Sequence, residues 1–423
     1  MTQAAQAAPA SIKALIFERK ELRFAAAMAV GRLKPGSGAG VGPLRLTETV
    51  PPELPGDDWH YVYPALAGIC GSDLATVDGR VSRYFEPLVS FPFVPGHEVV
   101  GRVDDGTRVV LEPVLGHRAH GFAPPWRDAA PADGHDYGHL IGGRLEAGLQ
   151  TGSCASTGGG WSEAFAAHES QLHSLGSVDS AGSAGSVHSL GSSGSAGSLD
   201  AAELSDEAAV MIEPTAAGVH AALRAEVAEG GTAAVIGAGT MGLAAVAALR
   251  RLTGVAVIVV GARYGHQRRL ARELGADLAV SPDELGRAVR RATGTRVIGE
   301  TLGSGTHVTI DAVASSESLR DAIAITRPRG RVVVLGMPAD VELNLSALWH
   351  RETELIGAYC YGTEPSLHGA HTFKAAAGLV RDCDLGRLVS ETYRLEDYRA
   401  ALDHAANAGA RGSVKIAFDL RNQ

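Results

Sequence analysis

The chain has 423 residues, 45% apolar, 20% charged and only 5% aromatic, a globular composition long enough for two or three domains. Its formal net charge of -9 leaves no basic footprint for nucleic acid, and no run of about 18 apolar residues offers a membrane span. The opening MTQAAQAAPASIK lacks the basic and apolar regions of a signal peptide, and four scattered cysteines suggest no disulfide framework but a reducing, cytoplasmic setting.

The first 110 residues read as β-rich. IKALIFERKELRFAAAMAV is strand-like, although Ala and Glu weaken its alternation. VVGRVDDGTRVVLEPV reads as two short strands around an Asp-Gly turn. Residues 116–160, rich in Gly, Pro, His and Asp, read as loop. Residues 174–199 repeat SLGS and SAGS with almost no bulky side chains. Such a stretch cannot bury enough apolar area to offset the entropy of ordering it, and it reads as a flexible insertion. From residue 205 the pattern changes. TAAVIGAG, VAVIVVG, HVTIDAVA and GRVVVLG are buried strands, and TMGLAAVAALRRLTG and YGHQRRLARELGAD are helices between them. Continuous apolar strands alternating with helices predict a parallel, doubly wound sheet. The tail mixes short strands with a helix at LEDYRAALDHAANAG.

VIGAGTMG places Gly237, Gly239 and Gly242 in a G-x-G-x-x-G pattern, after a predicted strand and opening a predicted helix, the context of a dinucleotide site. An acidic residue that would bind the ribose 2′-hydroxyl is expected about 20 residues further on. That place falls near Gly261, followed by Ala262 and Arg263, with His266, Arg268 and Arg269 close behind. No carboxylate is there to repel a 2′-phosphate, and an arginine fork can hold one. NADP(H) is therefore predicted over NAD(H).

GICGSDL holds Cys70, PGHEVVG holds His97 and Glu98, and MIEPTAAG holds Glu213. One thiolate, one imidazole and two carboxylates suit zinc, which takes sulfur, nitrogen and oxygen ligands, usually four. These motifs, with GAGTMG and the tail YRAALDHA…GSVKIAFD, resemble in order the zinc-dependent medium-chain alcohol dehydrogenases. The acidic residue within IEP is similar to the sorbitol, glucose and threonine dehydrogenase branch. The resemblance implies an α/β fold: a Rossmann domain with a doubly wound parallel sheet, plus a β-rich GroES-like catalytic domain. The catalytic domain would span 1–214 and the Rossmann domain 215–354, with 355–423 returning to the catalytic domain. It also implies roles. Cys70, His97 and Glu213 would hold zinc, with Glu98 an alternating or neighbouring ligand. Ser72 would hydrogen-bond the substrate alcohol, and Asp73 would orient His97. The substrate would be a small alcohol, a polyol or the matching carbonyl compound, and the protein a homodimer or homotetramer.

Two departures stand out. Many relatives carry a second zinc on four closely spaced cysteines, whereas between Val114 and Gly160 this chain has only Cys154. Its His117, His120, His135 and His139 define no ligand geometry, so the segment reads as an exposed, metal-free loop. Ala75 stands where some relatives have a proton-passing histidine. Cys154 is read as packing, and Cys360 and Cys383 as core or surface thiols. Two rival readings are a zinc-free reductase of the same superfamily and a nucleotide-binding sensor or scaffold without catalysis.

Overall fold

The computed structural model of the chain describes residues 9–134, 136–176 and 197–421. Most of the low-complexity stretch, residues 177–196, and His135 lie outside the described residues. The chain forms two units. One comprises Met1–Glu213, Leu385–Ala408 and Lys415–Gln423, the other Pro214–Asp384 and Gly409–Val414.

The first unit begins with β1 (Ile12–Phe17). The strand expected to run on to Val30 ends there, and α1 (Glu21–Leu33) follows. Ala, Leu, Glu and Arg dominate that segment, and all are strong helix formers. Glu21 lies in its first turn and Arg32 in its last, the signs that suit the helix dipole. The chain then returns as β2 (Leu44–Thr49), antiparallel to β1. Next come β3 (Trp59–Gly68), α2 (Gly71–Val77), β4 (Val99–Val103) and β5 (Arg108–Leu111). β4 pairs antiparallel with both β3 and β5, the latter around the expected Asp-Gly turn. β6 (Phe165–His168) adds to β3, and β7 (Leu172–Ser174) adds to β5. Inward residues of these strands, among them Leu15, Val62, Val99, Leu111 and Phe165, close around the buried Trp161.

The excursion through α1 is tied down by one carboxylate. Asp78, fully buried just past α2, accepts the backbone N–H groups of Gly36 (2.8 Å) and Gly38 (3.0 Å).

The second unit starts within α3 (Ile212–Arg224). Its strands are β8 (Thr232–Ile236), β9 (Val257–Gly261), β10 (Leu278–Val280), β11 (Thr306–Asp311), β12 (Thr326–Val334) and β13 (Glu354–Gly357). They form one parallel sheet in the order β10-β9-β8-β11-β12-β13. After β8 the chain first builds outward on one side, then crosses to build the other. The crevice at the β8/β11 switch point is where such sheets bind ligands.

Residues 355–384, expected to rejoin the first unit, stay with the second. β13 pairs with the open edge of β12, from Arg331↔Glu354 to Val334↔Gly357. The return comes at Leu385. β14 (Val389–Tyr393) runs parallel to β15 (Lys415–Asp419), and β15 pairs antiparallel with β3. This completes a seven-stranded sheet in the order β14-β15-β3-β4-β5-β7, with β6 also on β3. Among the described residues no helix is long and apolar enough to cross a membrane.

Candidate metal centre and cofactor turn

Cys70 owes its position to a helix start. β3 ends at Gly68, and Cys70 takes extended angles (φ −89°, ψ 159°) as the N-cap of α2. Its sulfur accepts the backbone N–H of Asp73, and its own N–H donates to Asp73 Oδ2 at 3.0 Å. This reciprocal pair is a capping box built with sulfur in place of the usual hydroxyl. The other Asp73 oxygen lies 3.3 Å from His97 Nδ1, so one carboxylate orients two of the expected ligands. His97 and Glu98 lead into β4, and both are buried. Ser72 Oγ lies 3.5 Å from His97 Nε2.

Metal-ligating atoms of Cys70, His97 and Glu98 all lie within 4.8 Å of one another. Glu213 is buried in the first turn of α3 and is not part of that cluster, but it acts electrostatically on Lys415 beside it. Burial opposes a charge on His97, yet the Asp73 carboxylate and Cys70 sulfur more than offset it and hold the imidazole well above its usual pKa. Burial likewise works against the Lys415 ammonium, while Glu98, Cys70 and Glu213 hold its pKa up. A site that favours protonation of both bases has a negative potential. With a soft sulfur, an imidazole and carboxylates on offer, the donor set fits a zinc ion.

The glycine motif forms the turn expected of it. β8 runs into Gly237, whose φ of 89° is left-handed, and Gly239 is the N-cap of α4 (Thr240–Leu252) with no side-chain cap. The first amides of α4 are thus not capped by a side chain, and helix starts of this kind receive phosphates. A Cβ on Gly242 would overlap the Gly237 carbonyl, whereas one on Gly239 would meet nothing within 4 Å. The first contact packs helix against strand, and the second leaves backbone open to a ligand. At the end of β9, Gly261 packs against Leu285 and Arg263 is exposed. Arg268 is committed elsewhere: its Nη1 donates to the carbonyls of Ala262 and Arg263, both at 2.9 Å.

The alcohol dehydrogenase GroES-like domain matches residues 56–177, and the zinc-binding dehydrogenase family matches residues 240–380. The chain belongs to the zinc-dependent medium-chain alcohol dehydrogenases. It is 25% identical over 368 residues to the sorbitol dehydrogenase of Bacillus subtilis (strain 168), covering 85% of this chain and 89% of that one. A solved structure from Sinorhizobium meliloti 1021 bound to NADP shares the fold, with a TM-score of 0.65 at 20% identity over 97% of this chain and all of that one. Acetophenone reductase from Geotrichum candidum NBRC 4597, in complex with NAD, has a TM-score of 0.65 at 16% identity over 98% of both chains.

Three features of this alcohol dehydrogenase escaped sequence reasoning. Lys415 reaches into the ligand cluster from β15 and is bonded to Glu98. It is one of only five lysines among 38 basic residues, and a lone lysine in the apolar run VKIAF was the available signal. Gly68 is the second: a Cβ there would overlap Glu98 Oε2 and come within 2.9 Å of Lys415 Cε. Trp161 is the third, its indole N–H donating to Gly68 O at 3.2 Å. The loop read as exposed is also corrected. His120 is fully buried and His139 nearly so, because His139 stacks on His117 at 3.8 Å between ring centroids. The two His120 nitrogens face the carbonyls of Gly142 (2.9 Å) and Gly148 (3.3 Å), and burial favours the neutral ring, whose single N–H donates to one of them. Cys154 packs at zero exposure among Trp59, Leu115 and Ala166.

Asp73→Asn should lower zinc affinity by about 10–100-fold, the usual cost of losing a carboxylate that orients a ligating histidine. Competition with a zinc chelator measures it, and an unchanged affinity would show that His97 needs no such support.

Proposed function

We propose that this oxidoreductase transfers a hydride between NADP(H) and a secondary alcohol or polyol, or the matching carbonyl compound. Its zinc ligands in this reading are Cys70, His97 and Glu213, with Glu98 beside them. The observation that carries the reading is the convergence of Cys70, His97 and Glu98 within 4.8 Å. A zinc ion held there would supply Lewis-acid polarisation of the substrate oxygen. Ser72, 3.5 Å from His97 Nε2, would accept the substrate alcohol's hydrogen bond and relay its proton, passing its own hydroxyl proton on to the cofactor ribose or to water. Asp73 would hold His97 with its Nδ1–H bonded and Nε2 turned inward. The glycine turn at Gly237, Gly239 and Gly242 would seat the pyrophosphate, with the adenosine ribose near Gly261. Likeness to a sorbitol dehydrogenase supports a polyol.

Zinc analysis of the purified protein, with a polyol and alcohol panel followed by NADPH absorbance, tests this reading. A preparation without zinc that reduces activated double bonds would replace it with the zinc-free reductase reading.

Cofactor choice rests on Arg263. Solved relatives hold either NADP or NAD, so the preference has to come from this chain's own residues. Arg263→Ala should cost NADP(H) about 10–100-fold in kcat/KM, as expected for losing a charge-assisted hydrogen bond, and leave NAD(H) nearly unchanged. Equal losses with both cofactors would make Arg263 a structural residue.

A further inference from the structure

Lys415 is 2% exposed and Glu98 1%. The ammonium is ion-paired with Glu98 Oε2 and donates to Ile69 O at 3.2 Å. β15 holds it there through its pairing with β3, continued by Ile69 N–H to Ile416 O at 2.9 Å. Both side chains pack against the bare Cα of Gly68, where a Cβ would overlap Glu98 Oε2 and lie 2.9 Å from Lys415 Cε.

A charge count gives this pair a task. The Cys70 thiolate and the Glu213 carboxylate would together balance a divalent ion, and His97 would add no charge. Two buried carboxylates are then in surplus: Asp73, which faces the His97 ring and the Cys70 N–H, and Glu98, which Lys415 balances. Without the ammonium, Glu98 would stay buried and uncompensated, a costly state. Its nearest remedy would be to coordinate the ion at the position a catalytic zinc keeps open for substrate. We propose that Lys415 is a positioning residue that holds the Glu98 carboxylate off the metal and so keeps that coordination position available. The proposal rests on the zinc reading given under Proposed function.

Cobalt(II) in place of zinc reports the coordination number, because its visible bands weaken when a four-coordinate site becomes five-coordinate. Lys415→Met should retain one metal per chain while those bands weaken several-fold. Its kcat should fall at least tenfold, with KM for NADP(H) unchanged. Lys415→Arg should keep the four-coordinate spectrum. Adding Glu98→Gln to Lys415→Met should recover it, because an amide leaves no charge to balance. An unchanged spectrum in Lys415→Met overturns the proposal, and so does a double variant no better than the single one. Should Lys415→Met fail to fold by circular dichroism, the arginine and double variants decide, and five-coordinate bands in either overturn the proposal. A wild-type chain that takes up neither zinc nor cobalt overturns the zinc reading itself.

Discussion

Cys70→Ala should cut kcat/KM by about a thousandfold or more, since Lewis-acid stabilisation of the reacting oxygen is worth several kcal/mol. Zinc content should fall with it. Binding of NADPH, followed by fluorescence titration, should survive, because the glycine turn belongs to the second unit and Cys70 to the first. The N-cap bond to sulfur would also be lost, so Cys70→Ser serves as the control. Serine caps a helix well but is a poor zinc ligand, and it should restore the melting temperature without restoring activity. Full turnover in either variant would end the case for zinc chemistry at this position.

Gly68→Ala is the second large effect. The new methyl would overlap the Glu98 carboxylate and press on Lys415, so either β3 moves or the buried pair separates. Either overpacking or a broken buried ion pair should cost about 3 kcal/mol, measured as a lower urea midpoint with an unchanged m-value. Zinc content should fall in parallel. An unchanged midpoint with full zinc occupancy would show that β3 yields without disturbing Glu98. The test separates a glycine that permits close approach from one that merely ends a strand, because Gly68 has no left-handed angle to explain it.

Much of the architecture was legible because its signals are local. The second sheet is covered on both faces, so Ala233–Ile236 and Ile258–Gly261 are buried almost without break and read as continuous apolar runs. The Gly237 turn and the Cys70 N-cap are likewise decided within a few residues. What stayed hidden depends on partners far away in the chain. Lys415 meets Ile69 across 346 positions, a contact fixed by strand register. The crossing back to the first unit depended on β13 finding the free edge of β12, which no boundary signal near residue 355 announces. The misread helix at Glu21–Leu33 has another cause. Its alanines fit either period, and their helix propensity decided between them.

Asp78 gives the early excursion a mechanical meaning. The short helix that presents Cys70, Ser72 and Asp73 at its front is moored at its rear to Gly36 and Gly38. A segment that looks like an ornament on the first hairpin is thus the mooring of the ligand helix, through two backbone N–H groups on one buried carboxylate.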